Sequence, residues 1–236
     1  MSYCRSYMKR VRTEIVVVGV RDGGTQVLLV RLPGSVWALP GVDVAAQTTL
    51  EAAARAALAD QTGIRGAQLE QLYTFDREGG EGVLVAHLCL VDTERHVLAP
   101  GPGVVEVRWF PMDDPPALDA ETTGVVEYGR ARVRAKAAYA PIALQLLAET
   151  FTLGDLQGVY EAVLGHPLDT RNFRRDVLQA GVVEPTGSSR ADGPGRPAAL
   201  YRSRAGDFQV LARERRIARA IAMAPDAGAD GPPGRR

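Results

Sequence analysis

The sequence predicts an α+β protein in two units: a mixed sheet with helices on its faces, then three helices that end in a β-ribbon. Three observations carry this expectation. Strand-like and helix-like stretches interleave through the first half without a regular βα alternation. Apolar residues at helical spacing mark three segments between residues 142 and 180. Two short β-rich stretches flanking a polar Gly/Pro-rich loop then follow Gly181.

In the first unit, residues 13–20 (TEIVVVGV) and 26–32 (QVLLVRL) are rich in β-branched residues. They flank Asp22-Gly23-Gly24, a hairpin signal. Residues 49–60 consist mainly of strong helix formers, and Gly63 stands where a helix end takes left-handed dihedrals. Residues 69–76, 82–91 and 104–112 are three more predicted strands, and 120–138 is a second helix. In the second unit, 142–149 predicts a short helix. Thr152-Leu153-Gly154-Asp155 reads as a capping box opening helix 153–164, whose Leu153, Leu156, Val159, Tyr160 and Val163 share one face. Gly165-His166-Pro167 forms the turn, and Asp169 caps helix 170–180. VVEPTG (182–187) and AALYR (198–202) form the ribbon, joined by residues 188–197. Three helices followed by a β-ribbon is the order of a winged helix-turn-helix. Residues 207–223 predict one more helix, while 224–236 lack the apolar content to order themselves.

Composition narrows the function classes. The chain has 236 residues, 46% hydrophobic and 24% charged, which is ordinary soluble protein. Its formal charge is zero, yet residues 151–236 hold 13 arginines against 10 acidic residues, so the second unit is the basic one. Cys4 and Cys89 have no disulfide or zinc spacing, and His87, His96 and His166 share no ligand pattern, so no metal or cofactor is expected. The start, MSYCRSYMKRVR, lacks an apolar signal-peptide core, and no apolar run approaches the roughly 18 residues that span a bilayer. A cytoplasmic protein without membrane partners is the expectation.

Helix 170–180 carries the functional signal of the second unit. Phe173, Val177 and Ala180 recur at helical spacing and turn inward, which leaves Thr170, Arg171, Asn172, Arg174, Arg175 and Gln179 outward. Arginine pairs with guanine and asparagine with adenine in the major groove, so this composition suits a recognition helix. Arg196 and Arg202, on the loop and second strand of the ribbon, are placed for phosphate contacts.

With these segments in view, residues 151–187 and GRPAALYR (195–202) resemble the winged helix of Nudix-related transcriptional regulators, the NrtR group of NAD-metabolism repressors. WALPG, LEQLYTF, VRWFP and YAPIALQLL read like positions of that family's N-terminal domain, and the likeness spans roughly residues 12–203. It implies a Nudix-like α/β/α sandwich over 12–139 as effector sensor and a winged helix-turn-helix over 140–203, with 204–236 outside the likeness. It also implies ADP-ribose or a related nucleotide as effector. Arg31 and Arg77 are then candidate phosphate contacts, and Trp37 and Phe75 candidate stacking partners.

The departures from the family's hydrolytic relatives bear on catalysis. A hydrolytic Nudix box uses several glutamates to hold divalent ions that polarise a pyrophosphate. Matched backward from Gly63, its positions fall on Val42, Thr48, Ala56, Ala57, Asp60 and Gln61, which leaves one carboxylate. Glu51 lies nine residues before Asp60, about 2.5 helical turns, hence nearly on the opposite face. The expectation is a non-catalytic sensor in a homodimeric repressor on a palindromic operator, with helix 120–138 and Pro141 as lever. The rivals are a Nudix hydrolase of nucleoside diphosphate derivatives such as ADP-ribose, and a module that meets protein or RNA.

Overall fold

The computed structural model describes residues 10–77, 80, 82–137, 142–191 and 197–204. The predicted helix 207–223, the Ala140-Pro141 junction and Arg196 lie outside the described residues.

β1 (Arg10–Arg21) and β2 (Gly24–Arg31) form the predicted hairpin. Asp22 and Gly23 both have positive φ, 51° and 74°, as a two-residue turn matched to strand twist requires. β6 (Gly82–Leu90) runs parallel to β1 on its other side, and β5 (Glu70–Asp76) pairs antiparallel with β6. β7 (Glu106–Pro111) pairs antiparallel with β2, which completes the expected mixed sheet. Two short strands went unpredicted: β3 (Trp37–Ala38) pairs with the end of β2, and β4 (Gly41–Asp43) with the start of β1. Each is fixed by a neighbouring strand and by no local pattern, since two or three residues carry no periodicity.

β1 is buried on both faces, and its alternation divides the core. Ile15 and Val17 pack with Ala54, Ala57 and Leu58 of α1 (Leu50–Thr62). Val16 and Val18 pack with Val125, Val126 and Val133 of α2 (Ala120–Ala137). A helix on each face gives the expected α/β/α layering. Gly129 lets α2 approach β1: a Cβ there would lie 2.8 Å from Val16 Cγ1.

The second unit differs from expectation at its edges. Ile142–Leu146 is a 3-10 helix where an α-helix over 142–149 was predicted. The chain then forms β8 (Thr150–Thr152), which pairs with β10 (Ala198–Ser203). The ribbon is therefore a three-stranded sheet, β8-β10-β9, with β9 (Val183–Arg190) at the edge where Pro185 is tolerated. β9 extends through Ser188–Arg190, which were expected in the loop; those residues are exposed and show no alternation to betray a strand.

α3 (Leu153–Leu164) and α4 (Thr170–Ala180) have the predicted bounds and caps. Thr152 and Asp155 bond reciprocally as a capping box, at 3.1 and 2.8 Å. Asp169 accepts from Asn172 N at 2.8 Å, and Gly181 closes α4 in left-handed geometry. The two units share one core: Leu156 and Val163 of α3 and Phe173 and Val177 of α4 belong to the same buried cluster as Val27 and Leu29 of β2. Each such fully buried side chain contributes about 1.5–3 kcal/mol, so the winged helix is packed onto the sheet and not merely tethered to it.

A candidate DNA-reading helix beside an effector domain

The placement of α4 is set by a side chain that sequence reasoning missed. Gln157 lies within the buried face of α3 and shares its amide protons among Glu161 Oε1 (2.9 Å), Leu168 O (3.1 Å) and Thr170 Oγ1 (3.1 Å). Glu161 in turn accepts from Leu168 N at 2.8 Å. Together with the Tyr160–Phe173 ring contact at 5.6 Å, these bonds lock the α3-turn-α4 angle. A glutamine among Leu153, Leu156 and Tyr160 was the available signal, because a polar group on an apolar stripe needs a partner.

Phe173, Val177 and Ala180 are buried as predicted, and Thr170, Arg171, Asn172, Arg174 and Arg175 are exposed. At about 100° per residue, Arg171, Arg175 and Leu178 point directly away from the core, while Asn172 and Arg174 flank them on either side. These side chains are not equivalent. Arg175 Nε bonds Asp176 Oδ1 at 2.9 Å, and the Thr170 hydroxyl is held by Gln157. Among the described residues Arg171 and Arg174 have no acidic partner. On the ribbon, Arg202 was expected to meet phosphate, but its Nε bonds Glu184 Oε1 at 2.7 Å across the β9-β10 register. That arginine pair, with Arg204 nearby, holds the Glu184 carboxyl below its usual pKa. Arg190, which was not singled out, grips Asp155 with bonds of 2.9 and 2.8 Å and so ties the ribbon to the start of α3.

In the first unit the four candidate effector residues are all drawn into contacts within the fold. Arg31 bonds Glu106 at 2.8 Å and lies 5.5 Å from the Trp37 ring centroid. Trp37 meets Phe110 edge-on at 4.7 Å. Phe75 packs against Tyr73 and Tyr128 at 5.0 and 5.6 Å, and Arg77 faces Glu121 at 3.5 Å. Trp37 and Phe75 stand on the two end strands of the path β3-β2-β1-β6-β5, so a single base cannot stack on both.

The helix at the predicted Nudix-box position, α1, is fixed by its own side chains. Thr49 caps α1 and Gly63 ends it in left-handed geometry. Glu51 is spent on Arg55 in an i,i+4 ion pair. The Gln61 amide clamps β4 at both ends of one peptide position, accepting from Gly41 N at 3.0 Å and donating to Gly41 O at 2.9 Å. Only an amide can do both; a carboxylate has no proton to give Gly41 O. Among the described residues no three His, Cys, Asp or Glu side chains converge as a metal site would require.

Two buried titratable groups lie on opposite faces of the sheet. His87 sits 3.0 Å from the Thr13 hydroxyl, and burial lowers its pKa. Glu14, on the face toward α2, has its pKa raised by burial, which outweighs the opposing pull of Arg12 at 2.8 Å, with Glu121 and Asp119 adding to the rise. Glu14 was not singled out from the sequence. Its signal was present: it alternates with Val16 and Val18 on an otherwise apolar strand face.

A family model described as the NrtR DNA-binding winged helix domain matches residues 143–203, and a NUDIX domain model matches residues 10–127. A relative in Acinetobacter baylyi, the ADPR responsive transcriptional repressor NtrR, is 30% identical over 207 residues, 83% of this chain and 82% of that protein. The crystal structure of Shewanella oneidensis NrtR complexed with a 27mer DNA is also 30% identical, with a TM-score of 0.72 over 82% of this chain and 93% of that one. A MutT/nudix family protein from Enterococcus faecalis, 20% identical with a TM-score of 0.68 over 86% of this chain and 90% of that one, shares the fold. A winged helix joined to a Nudix domain, with a relative of this similarity across four-fifths of both chains, places the protein in the NrtR family of Nudix-related transcriptional regulators.

Proposed function

We propose that the chain is a ligand-responsive repressor that binds a palindromic operator as a homodimer and releases it when ADP-ribose or a closely related nucleotide occupies the Nudix-like domain, without cutting that ligand. The observation that carries the DNA reading is the pair Arg171 and Arg174, cations without an acidic partner among the described residues, on a helix whose angle is locked by Gln157. The Acinetobacter baylyi relative is named for its response to ADPR, which supports this effector class. The shared core supports coupling: α3 packs on α2 and β2, so a change in the effector domain is passed to α4 through packed side chains. One recognition helix reads only a few base pairs, so an operator of useful specificity requires two, one from each protomer.

A non-catalytic domain follows from the box: Thr48, Ala56, Ala57 and Gln61 supply no charge for divalent ions, and Gln61 is committed to Gly41. The domains are 12–139 and 140–203, and the protein works in the cytoplasm, where its operator is. The test is a labelled operator duplex titrated with ADP-ribose in the presence of Mg²⁺. The expected result is release of the duplex with the nucleotide recovered intact. Metal-dependent formation of AMP above a no-protein control, or a complex that saturating ADP-ribose leaves untouched, refutes the proposal.

A further inference from the structure

Every large apolar side chain of α3 and α4 is buried or half-buried except one. Leu178 is 49% exposed, beside a Val177 that is fully buried. An isolated exposed leucine is ordinary on a protein surface, so its meaning lies in its neighbours. Arg171, Arg174, Arg175 and Leu178 follow the spacing i, i+3, i+4, i+7, which puts all four on one face of α4 over two turns. The core-facing set, Phe173, Val177 and Ala180, occupies the other side, so the Leu178 side chain has no part in holding α4 down. The fold uses the Leu178 carbonyl, which accepts from Gly181 N at 3.3 Å and closes the helix. That bond does not depend on the side chain.

The three cations beside Leu178 select what such a face meets. A second copy pairing through the same face by two-fold symmetry would set one group of arginines against the other. The major groove of DNA satisfies both parts of the face. Phosphates and guanine edges take arginines, and the 5-methyl of thymine is the apolar group that the groove presents. At the same place cytosine offers an amino group, which a leucine would cover without giving it a partner.

We propose that Leu178 reads a thymine of the operator through its 5-methyl group. The inference rests on the reading of α4 as the DNA-binding helix, and it adds to the basic contacts of that helix an apolar one that fixes an A·T pair.

The full-length protein is used to select duplexes from a randomised pool. The enriched duplex is remade with each thymine replaced in turn by deoxyuridine, which removes the methyl and keeps every hydrogen-bonding group. Fluorescence anisotropy with wild type is expected to show a loss of roughly fourfold for the methyl that Leu178 covers. Leu178→Ala is expected to bind that thymine duplex and its uracil counterpart equally, and Leu178→Met, which keeps an apolar side chain of similar size, to restore the preference. Alanine is the stronger helix former and the position is exposed, so the variant folds, which thermal unfolding verifies. A methyl effect that persists unchanged in Leu178→Ala overturns the proposal. So does the absence of a methyl effect at every thymine while Arg171→Ala still weakens the selected duplex, and in that case the DNA reading stands. A pool that yields no enriched sequence refutes the DNA reading and the proposal with it. Equal loss on thymine and uracil duplexes in Leu178→Ala, with sedimentation as a smaller species than wild type, makes Leu178 a contact between copies and overturns the proposal.

Discussion

Two helices of this protein are rich in basic residues, and they use them in opposite ways. On α2, Arg130 and Arg134 both reach Asp113, at 2.9 and 3.5 Å, while Arg132 and Lys136 both reach Glu70. Those cations fasten the helix to the edge of its own sheet. On α4, Arg171 and Arg174 have no acidic partner among the described residues, and both are exposed. Counting charge in the sequence ranks α2 level with α4. What separates a DNA-reading helix from a structural one is whether the cations already have partners.

The largest expected effect is on α4 itself. Arg171→Ala or Asn172→Ala should weaken operator binding by about 1–3 kcal/mol and relax base preference, whereas Arg130→Ala on α2 should leave operator affinity within a factor of two. Fluorescence anisotropy on operator and random duplexes separates the cases. Equal losses from α2 and α4 substitutions would erase the comparison. Arg174→Ala should act more uniformly across sequences and reduce the slope of log affinity against log salt by about one. An unchanged slope would remove Arg174 from the phosphate backbone.

A similar contrast holds between Gln61 and the glutamate that a hydrolytic box carries there. Gln61→Glu removes the donor to Gly41 O and sets a carboxylate against that carbonyl, which should cost about 1–3 kcal/mol of stability in a urea midpoint. A neutral outcome would mean that the β4 clamp is dispensable.

The smallest effect is the pH dependence of the two buried groups. His87 is held neutral by burial while the unfolded chain titrates near about 6.5, so its contribution is fully present above that pH and is lost as pH falls below it. Glu14 has the opposite sign: its raised pKa means the folded chain holds its proton where the unfolded chain has released it, so stability falls as pH rises above about 4.5 toward the folded pKa. For either group the slope is at most about 1.4 kcal/mol per pH unit. Denaturant midpoints from pH 8 to 5 should show a shallower acid loss in His87→Gln than in wild type, and a steeper one in Glu14→Gln. Parallel curves would remove both residues from the linkage.

These contrasts also explain what could be read from the chain. α3 and α4 were legible down to their end residues because Thr152, Asp155, Asp169 and Gly181 act on backbone groups within three or four positions. β3, β4 and β8 were not, since each is two or three residues long and exists only by pairing with a strand distant in sequence. The site residues divide the same way. Burial of Phe173 and exposure of Arg171 follow from helical period alone. The partners of Arg202, Arg31 and Arg77 lie 18, 75 and 44 residues away along the chain, and no local pattern announces them. Glu14 is a carboxylate among valines and was not singled out; burial is the main cause of its raised pKa, and Glu121 and Asp119, which add to it, lie more than a hundred residues away along the chain.

The central claim is that the effector domain and α4 form one thermodynamic unit through their common core. Linkage then requires operator DNA and ADP-ribose to weaken each other's binding by the same factor. The most direct measurement is the Kd of ADP-ribose for the free protein and for the protein saturated with operator duplex. The account predicts weaker ADP-ribose binding on the operator, by the factor with which ADP-ribose weakens operator binding. Equal ADP-ribose affinity in the two states would contradict it.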